Sequence, residues 1–211
     1  MINPVKGFKM AYFPKGDITQ YFAENPVLYS RFGLAGHNGI DIVRPHGEPI
    51  YSVCSGIVVE SKHTTTGYGK YIRVVSDQPD RKGVRQEWTY GHNSKNMVET
   101  GQVVKEGEII ALMGNTGFVV SGATPFWKFN PFAGTHLHLG LRLCKLSNKG
   151  WSYSGSDIKL AILDHQNGYY GSINPAPYLS EANDVPEATA WREMALTVIS
   201  LANTVINLLK K

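Results

Sequence analysis

Cysteine is nearly absent from this chain. Cys54 and Cys144 are the two in 211 residues, and they form no C-x-x-C pair. They read as two small side chains buried within strands. A disulfide between them stays open, because sequence does not place their Cα atoms within bonding distance. Charge is also sparse, at 18% of residues with a net +4, and the basic residues are scattered without a run of five. This permits a polyanionic partner without requiring one, and it argues against nucleic acid. No internal repeat or low-complexity stretch is present. The first nine residues, Met1 to Lys9, contain no unbroken apolar run, so a signal peptide is not expected. A substrate outside the cytoplasm would then call for lysis, a phage particle or another export route.

What is present fits one soluble domain with a sizeable core: 42% hydrophobic residues, 22 glycines and 11 tyrosines. Such composition favours short strands and tight turns. Residues 1–18, with Pro14 and Gly16, read as a lead-in. Strand-like runs follow at 40–43, 49–53, 56–61, 70–76, 87–90, 108–113 and 136–143. Several are β-branched, as in Ile57-Val58-Val59. Glycine-rich turns separate them, such as Thr66-Gly67-Tyr68-Gly69 and Gly114-Asn115-Thr116-Gly117. The expected fold is a mostly β, antiparallel domain over 19–180. Residues 181–211 read as a C-terminal helix: Asp184, Pro186 and Glu187 mark its start. Trp191, Ala195, Val198, Ala202, Val205 and Leu209 form one apolar stripe. Its uncharged stretch, 194–209, spans about 24 Å as a helix, short of the roughly 30 Å hydrocarbon core of a membrane. Self-association or packing on the domain is favoured over weak membrane contact.

The chemistry concentrates in a few residues. His136-Leu137-His138-Leu139-Gly140-Leu141-Arg142-Leu143 alternates with the period of a strand. The leucines share a face that should be buried. His136 and His138 share the other, with Cα atoms about 6.5–7 Å apart. His37 and Asp41 would lie about 13 Å apart on a straight strand, too far for one metal with bonds of about 2.0–2.2 Å. Gly36, Gly39 and the β-branched residues from Ile40 argue against a helix. A bend near Gly39 is expected, with glycine supplying the backbone freedom. His92 ends a strand after Trp88-Thr89-Tyr90-Gly91.

Together these pieces resemble the lysostaphin-type, or LytM-type, zinc endopeptidases that cut peptidoglycan peptides. The resemblance runs from Asp17 to Leu179. It is carried by Ser30-Arg31-Phe32-Gly33, Gly36-His37-Asn38-Gly39-Ile40-Asp41, Tyr90-Gly91-His92-Asn93-Ser94, Gly101 to Gly107, Gly114 to Gly117, His136-Leu137-His138 and Ile173-Asn174-Pro175. It implies a compact β fold of the duplicated hybrid motif type, with Gly101–Gly107 a turn between strands. It implies one zinc ion held by His37, Asp41 and His138, with a fourth position open, and His92 and His136 as catalytic partners. An inactive peptidoglycan-binding or regulatory module of the same fold is the alternative; retention of all five positions favours the enzyme.

The chain departs from the resemblance in two places. Phe118 to Thr135 form a longer loop than usual, rich in aromatics, that is expected either to wall a substrate groove or to pack onto the domain. Tyr90, Phe126 and Trp127 are the candidate substrate contacts. Gly140 stands where many relatives carry an acidic residue, which bears on the outer hydrogen bond of a metal ligand. His46, His63 and His165 match no motif and are expected to be structural or surface residues.

Overall fold

A computed structural model describes residues 2–11, 14–121, 124–125, 128, 130–153 and 155–179. The expected C-terminal helix, Phe126 and Trp127 lie outside the described residues. The strands are β1 (Ile18–Gln20), β2 (Ile40–Ile42), β3 (Pro49–Tyr51), β4 (Gly56–His63), β5 (Lys70–Ser76), β6 (Arg85–Asn93) and β7 (Lys95–Asn96). They continue with β8 (Val103–Val104), β9 (Ile109–Leu112), β10 (Val120–Ser121), β11 (Thr124–Pro125), β12 (Leu137–Ser152), β13 (Lys159–Ile162) and β14 (Ser172–Ile173). A five-residue helix, α1 (Pro26–Ser30), and a 3-10 turn at Ala176–Tyr178 stand among the described residues. No described helix is long and apolar enough to cross a membrane.

The mostly antiparallel β expectation holds. The main sheet runs β1-β2-β12-β6-β5-β4-β8, with β13 and β14 also pairing to β12. A smaller sheet, β3-β9-β7, and the β10-β11 pair complete the set. Register decides which face each residue takes. Leu137 pairs with Ile42, and Leu139 pairs with Ile40 on one side and Tyr90 on the other. These residues are fully buried, and they join Trp88, Ile72 and Val74 in a core that includes Ile50, Ile110 and Ala111 of the smaller sheet. The same register sets Asp41, His138 and Gly91 abreast on the opposite face.

Three readings change. The lead-in segment is part of the core, with Val5 and Phe8 buried there. The 101–107 stretch is not simply a turn: it holds β8, which pairs at the sheet edge with β4. β12 runs nine residues past Leu143, to Ser152, and carries β13 on its extension. Past Cys144 the strand leaves the core, with Leu146 and Trp151 exposed. The apolar alternation that marks a half-buried strand therefore fades there.

Candidate metal centre and groove

Three donor atoms converge on the outer face of the sheet. His37 Nε2 lies 3.2 Å from Asp41 Oδ1, and His138 Nδ1 lies 3.2 Å from the same oxygen. The two ring nitrogens are 3.0 Å apart. All three residues are buried, and they are the one such cluster among the described residues able to hold a metal ion. His46, His63 and His165 stand outside it. The bend between His37 and Asp41 exists, but its cause differs from the expected one. A Cβ on Gly39 would meet the His138 ring at 2.7 Å and the Leu139 carbonyl oxygen at 2.6 Å. Gly39 is there to let the His138 ring approach closely, rather than for a special backbone angle. The His37 ring is fixed from behind, where Nδ1 donates to the Tyr21 carbonyl at 3.1 Å. In the neutral ring that bond puts the lone pair on Nε2, aimed at the cluster, the arrangement a metal-ligating imidazole needs.

His92 and His136 stand beside the cluster. Their rings are 4.7 Å apart, and His136 Nε2 lies 3.7 Å from Asp41 Oδ2. His136 Nδ1 donates to the Gly134 carbonyl at 2.7 Å, and His92 Nδ1 donates to the Thr116 carbonyl at 2.8 Å. In the neutral form of either ring, the free lone pair would therefore be on Nε2. Simple alternation would send His92 to the core side with Tyr90. A bulge between β5 and β6 and a left-handed φ of 63° at His92 turn it outward instead. Backbone strain of this kind costs energy and needs support; here the His92 N–H donates to the Tyr68 carbonyl at 2.8 Å.

Burial acts to raise the Asp41 carboxyl, but the neighbouring His37 and His136 rings and the bonds from His138 and His37 outweigh it. The carboxyl is held well below the usual range and stays an anion. His92 is lowered to about 3, chiefly by burial and then by His136 and His138. Burial likewise lowers His138 to about 4. Burial acts to lower His37 as well, but the Asp41 carboxylate beside it outweighs that and leaves the ring raised. Two imidazoles and one carboxylate make a donor set suited to a divalent cation of zinc's preferences.

The cluster lies in a groove of about 1440 Å³ lined by Tyr29, Phe32, Tyr68, Phe118 and Phe132 among others. Phe32 and Phe118 meet edge to face with ring centroids 5.4 Å apart, and both are partly exposed. Phe132, in the long loop, lines the groove and packs on His46 at 4.8 Å. Tyr90 does not reach this space. It is fully buried in the core, and its hydroxyl accepts from the Val53 N–H at 3.0 Å. The strand period that puts Gly91 on the groove side puts Tyr90 on the other, so Tyr90 is no substrate contact. Tyr68 went unread as a site residue. Its ring lies 4.9 Å from the His138 ring, and its hydroxyl accepts from Asn38 Nδ2 at 2.8 Å. The signal was its place in a glycine-flanked turn, which sequence alone does not aim.

The model of peptidase family M23 matches residues 35–149. Glycyl-glycine endopeptidase ALE-1 of Staphylococcus capitis is 29% identical over 147 residues, 69% of this chain and 37% of that protein. Peptidoglycan DD-endopeptidase ShyA of Vibrio cholerae is 33% identical over 108 residues, 51% of this chain and 20% of that protein. The chain spans from 16% to 37% of the length of such curated relatives. A solved structure of the antimicrobial peptidase lysostaphin from Staphylococcus simulans superposes with a TM-score of 0.50 at 21% identity, covering 81% of this chain and 53% of that one. This likeness shows the fold alone. The family match covers more than half of the sequence and contains His37, Asp41, His92, His136 and His138, and on that ground the chain belongs to peptidase family M23.

Proposed function

We propose that the chain is a zinc-dependent endopeptidase that hydrolyses peptide bonds in bacterial peptidoglycan, in stem peptides or cross-bridges, and acts at the cell wall. One observation carries this reading: His37 Nε2, Asp41 Oδ1 and His138 Nδ1 converge in a groove with the His92 and His136 rings beside them. Two imidazoles and one carboxylate are a ligand set that leaves a catalytic zinc with an open position. The names of ALE-1 and ShyA support the substrate class.

His37, Asp41 and His138 would hold the ion. When bound, zinc supplies a Lewis acid for the scissile carbonyl and lowers the pKa of the attacking water. The chain's own residues do the rest. The Nε2 lone pairs of His136 and His92 face the groove, so one ring removes a proton from water and later returns it to the departing amine. The other, as an imidazolium that has taken a proton from solvent at Nε2, donates to the charge developing on the carbonyl oxygen. Hydrogen bonds to Gly134 and Thr116 hold both rings in the competent tautomer. Phe32, Phe118 and Phe132 offer flat apolar surface along which a peptide is held.

The test separates chemistry from metal binding. His136→Ala and His92→Ala should each lower kcat by about 10²–10⁴-fold while zinc content stays at one per chain. Full activity of His136→Ala with zinc bound would remove that residue from the mechanism.

A further inference from the structure

His138 has a second ring nitrogen, and it has no partner among the described residues. Nε2 is buried without a hydrogen-bond acceptor among the described residues. With Nδ1 given to a metal, as the proposed function has it, the neutral ring carries its proton on Nε2, so a donor is left in a buried place. Such groups seldom go unpaired, because desolvation without a partner is costly. Next to it is Gly140, itself buried within β12. A Cβ built there would lie 3.5 Å from His138 Nε2, 3.5 Å from Thr89 Cβ and 3.7 Å from the Asn38 carbonyl oxygen. The space left by the absent side chain is thus bounded by a ring N–H, a carbonyl and the carbon that bears the Thr89 hydroxyl. Thr89 is itself 5% exposed. A buried water needs two to four such partners.

We propose that one buried water lodges beside Gly140 and is the outer hydrogen-bond partner of His138, orienting its ring for the metal. Asn38 and Thr89 hold that water, and Gly140 is a positioning residue because it has no side chain. The inference rests on the reading of His138 as a metal ligand. Outer partners of ligating histidines fix the tautomer and the ring orientation, and their loss typically costs about 10–100-fold in metal affinity.

The test is Zn²⁺ affinity of the full chain, measured by competition with a chromophoric chelator. Thermal unfolding of the metal-free protein serves as a check on folding. An added methyl makes only ordinary contacts of 3.5–3.7 Å, so Gly140→Ala should fold as well as the parent. It should bind Zn²⁺ about 10–100-fold more weakly, because the methyl displaces the water and accepts no hydrogen bond. Gly140→Ser places a hydroxyl acceptor at the same point and should restore the parent affinity. His138→Ala should lose the site. Parent affinity in Gly140→Ala, or a Gly140→Ser variant as weak as Gly140→Ala, overturns the water while leaving the site intact. Parent affinity in His138→Ala overturns the site reading itself.

Discussion

At Gly39 the chain gives up a side chain so that the His138 ring can settle against its backbone. Gly39→Ala would drive a methyl to 2.7 Å from that ring, and overpacking of this kind typically costs about 1–3 kcal/mol. Urea unfolding should show that loss, and Zn²⁺ titration should show weakened binding in the same variant. The two cysteines make the opposite case, of residues that do little. Burial pushes each thiol up to about 12, with Asp77 and Glu106 adding to the effect at Cys54 and Glu87 at Cys144. A raised thiol pKa means the protonated form dominates at any lower pH. At pH 8 both should therefore be nearly inert to a disulfide reagent in the native protein and react on unfolding, where thiols ionise near roughly 8.5. Rapid reaction of either in the folded protein would contradict their burial. Both are free in the structure. At this scale the site was largely legible. Alternation showed His136 and His138 as neighbours, and their types suggested metal chemistry. The aim of His92 was not legible, because it depends on a bulge whose register is set by β5.

The strands explain why those residues meet. β12 lies between β2 and β6, so its register with each brings His138 opposite Asp41 and Gly91. Four positions along, Arg142 lies opposite Glu87, and there the sheet is held by charge. Glu87 is fully buried. Its Oε1 accepts from Arg142 Nη2 at 2.5 Å and from the Tyr153 hydroxyl at 2.9 Å, with Arg73 Nε at 3.6 Å. Removing one member of a buried ion pair leaves its partner uncompensated. Glu87→Ala should cost about 3–5 kcal/mol, read by chemical unfolding, because Arg73 and Arg142 would be left facing each other. A change below about 0.5 kcal/mol would be that of an ordinary surface site and would contradict this account of the sheet. β4, β5 and the first half of β12 were readable because one face is apolar. β8, β13 and β14 were not: they are short or partly exposed, and their identity comes from pairing with longer strands.

For the whole molecule, the smaller sheet and the 2–11 segment cover one face of the main sheet, and the groove occupies the other. That division leaves five polar residues from three separate stretches of chain on a single surface. Its overall plan was legible in the order of the β-type runs, whereas the groove walls were not. They depend on tertiary contacts such as Phe32 with Phe118, 86 positions apart in the sequence. The measurement that bears most directly on the proposed activity is digestion of purified peptidoglycan of several chemotypes, followed by mass spectrometry of the fragments. It is run with the chain alone, with a chelator, and with Zn²⁺ restored. Hydrolysed peptide bonds should appear with the chain alone, vanish with chelator and return with zinc. Intact peptides in every chemotype, or cleavage indifferent to the chelator, would contradict a zinc-dependent endopeptidase built on His37, Asp41 and His138.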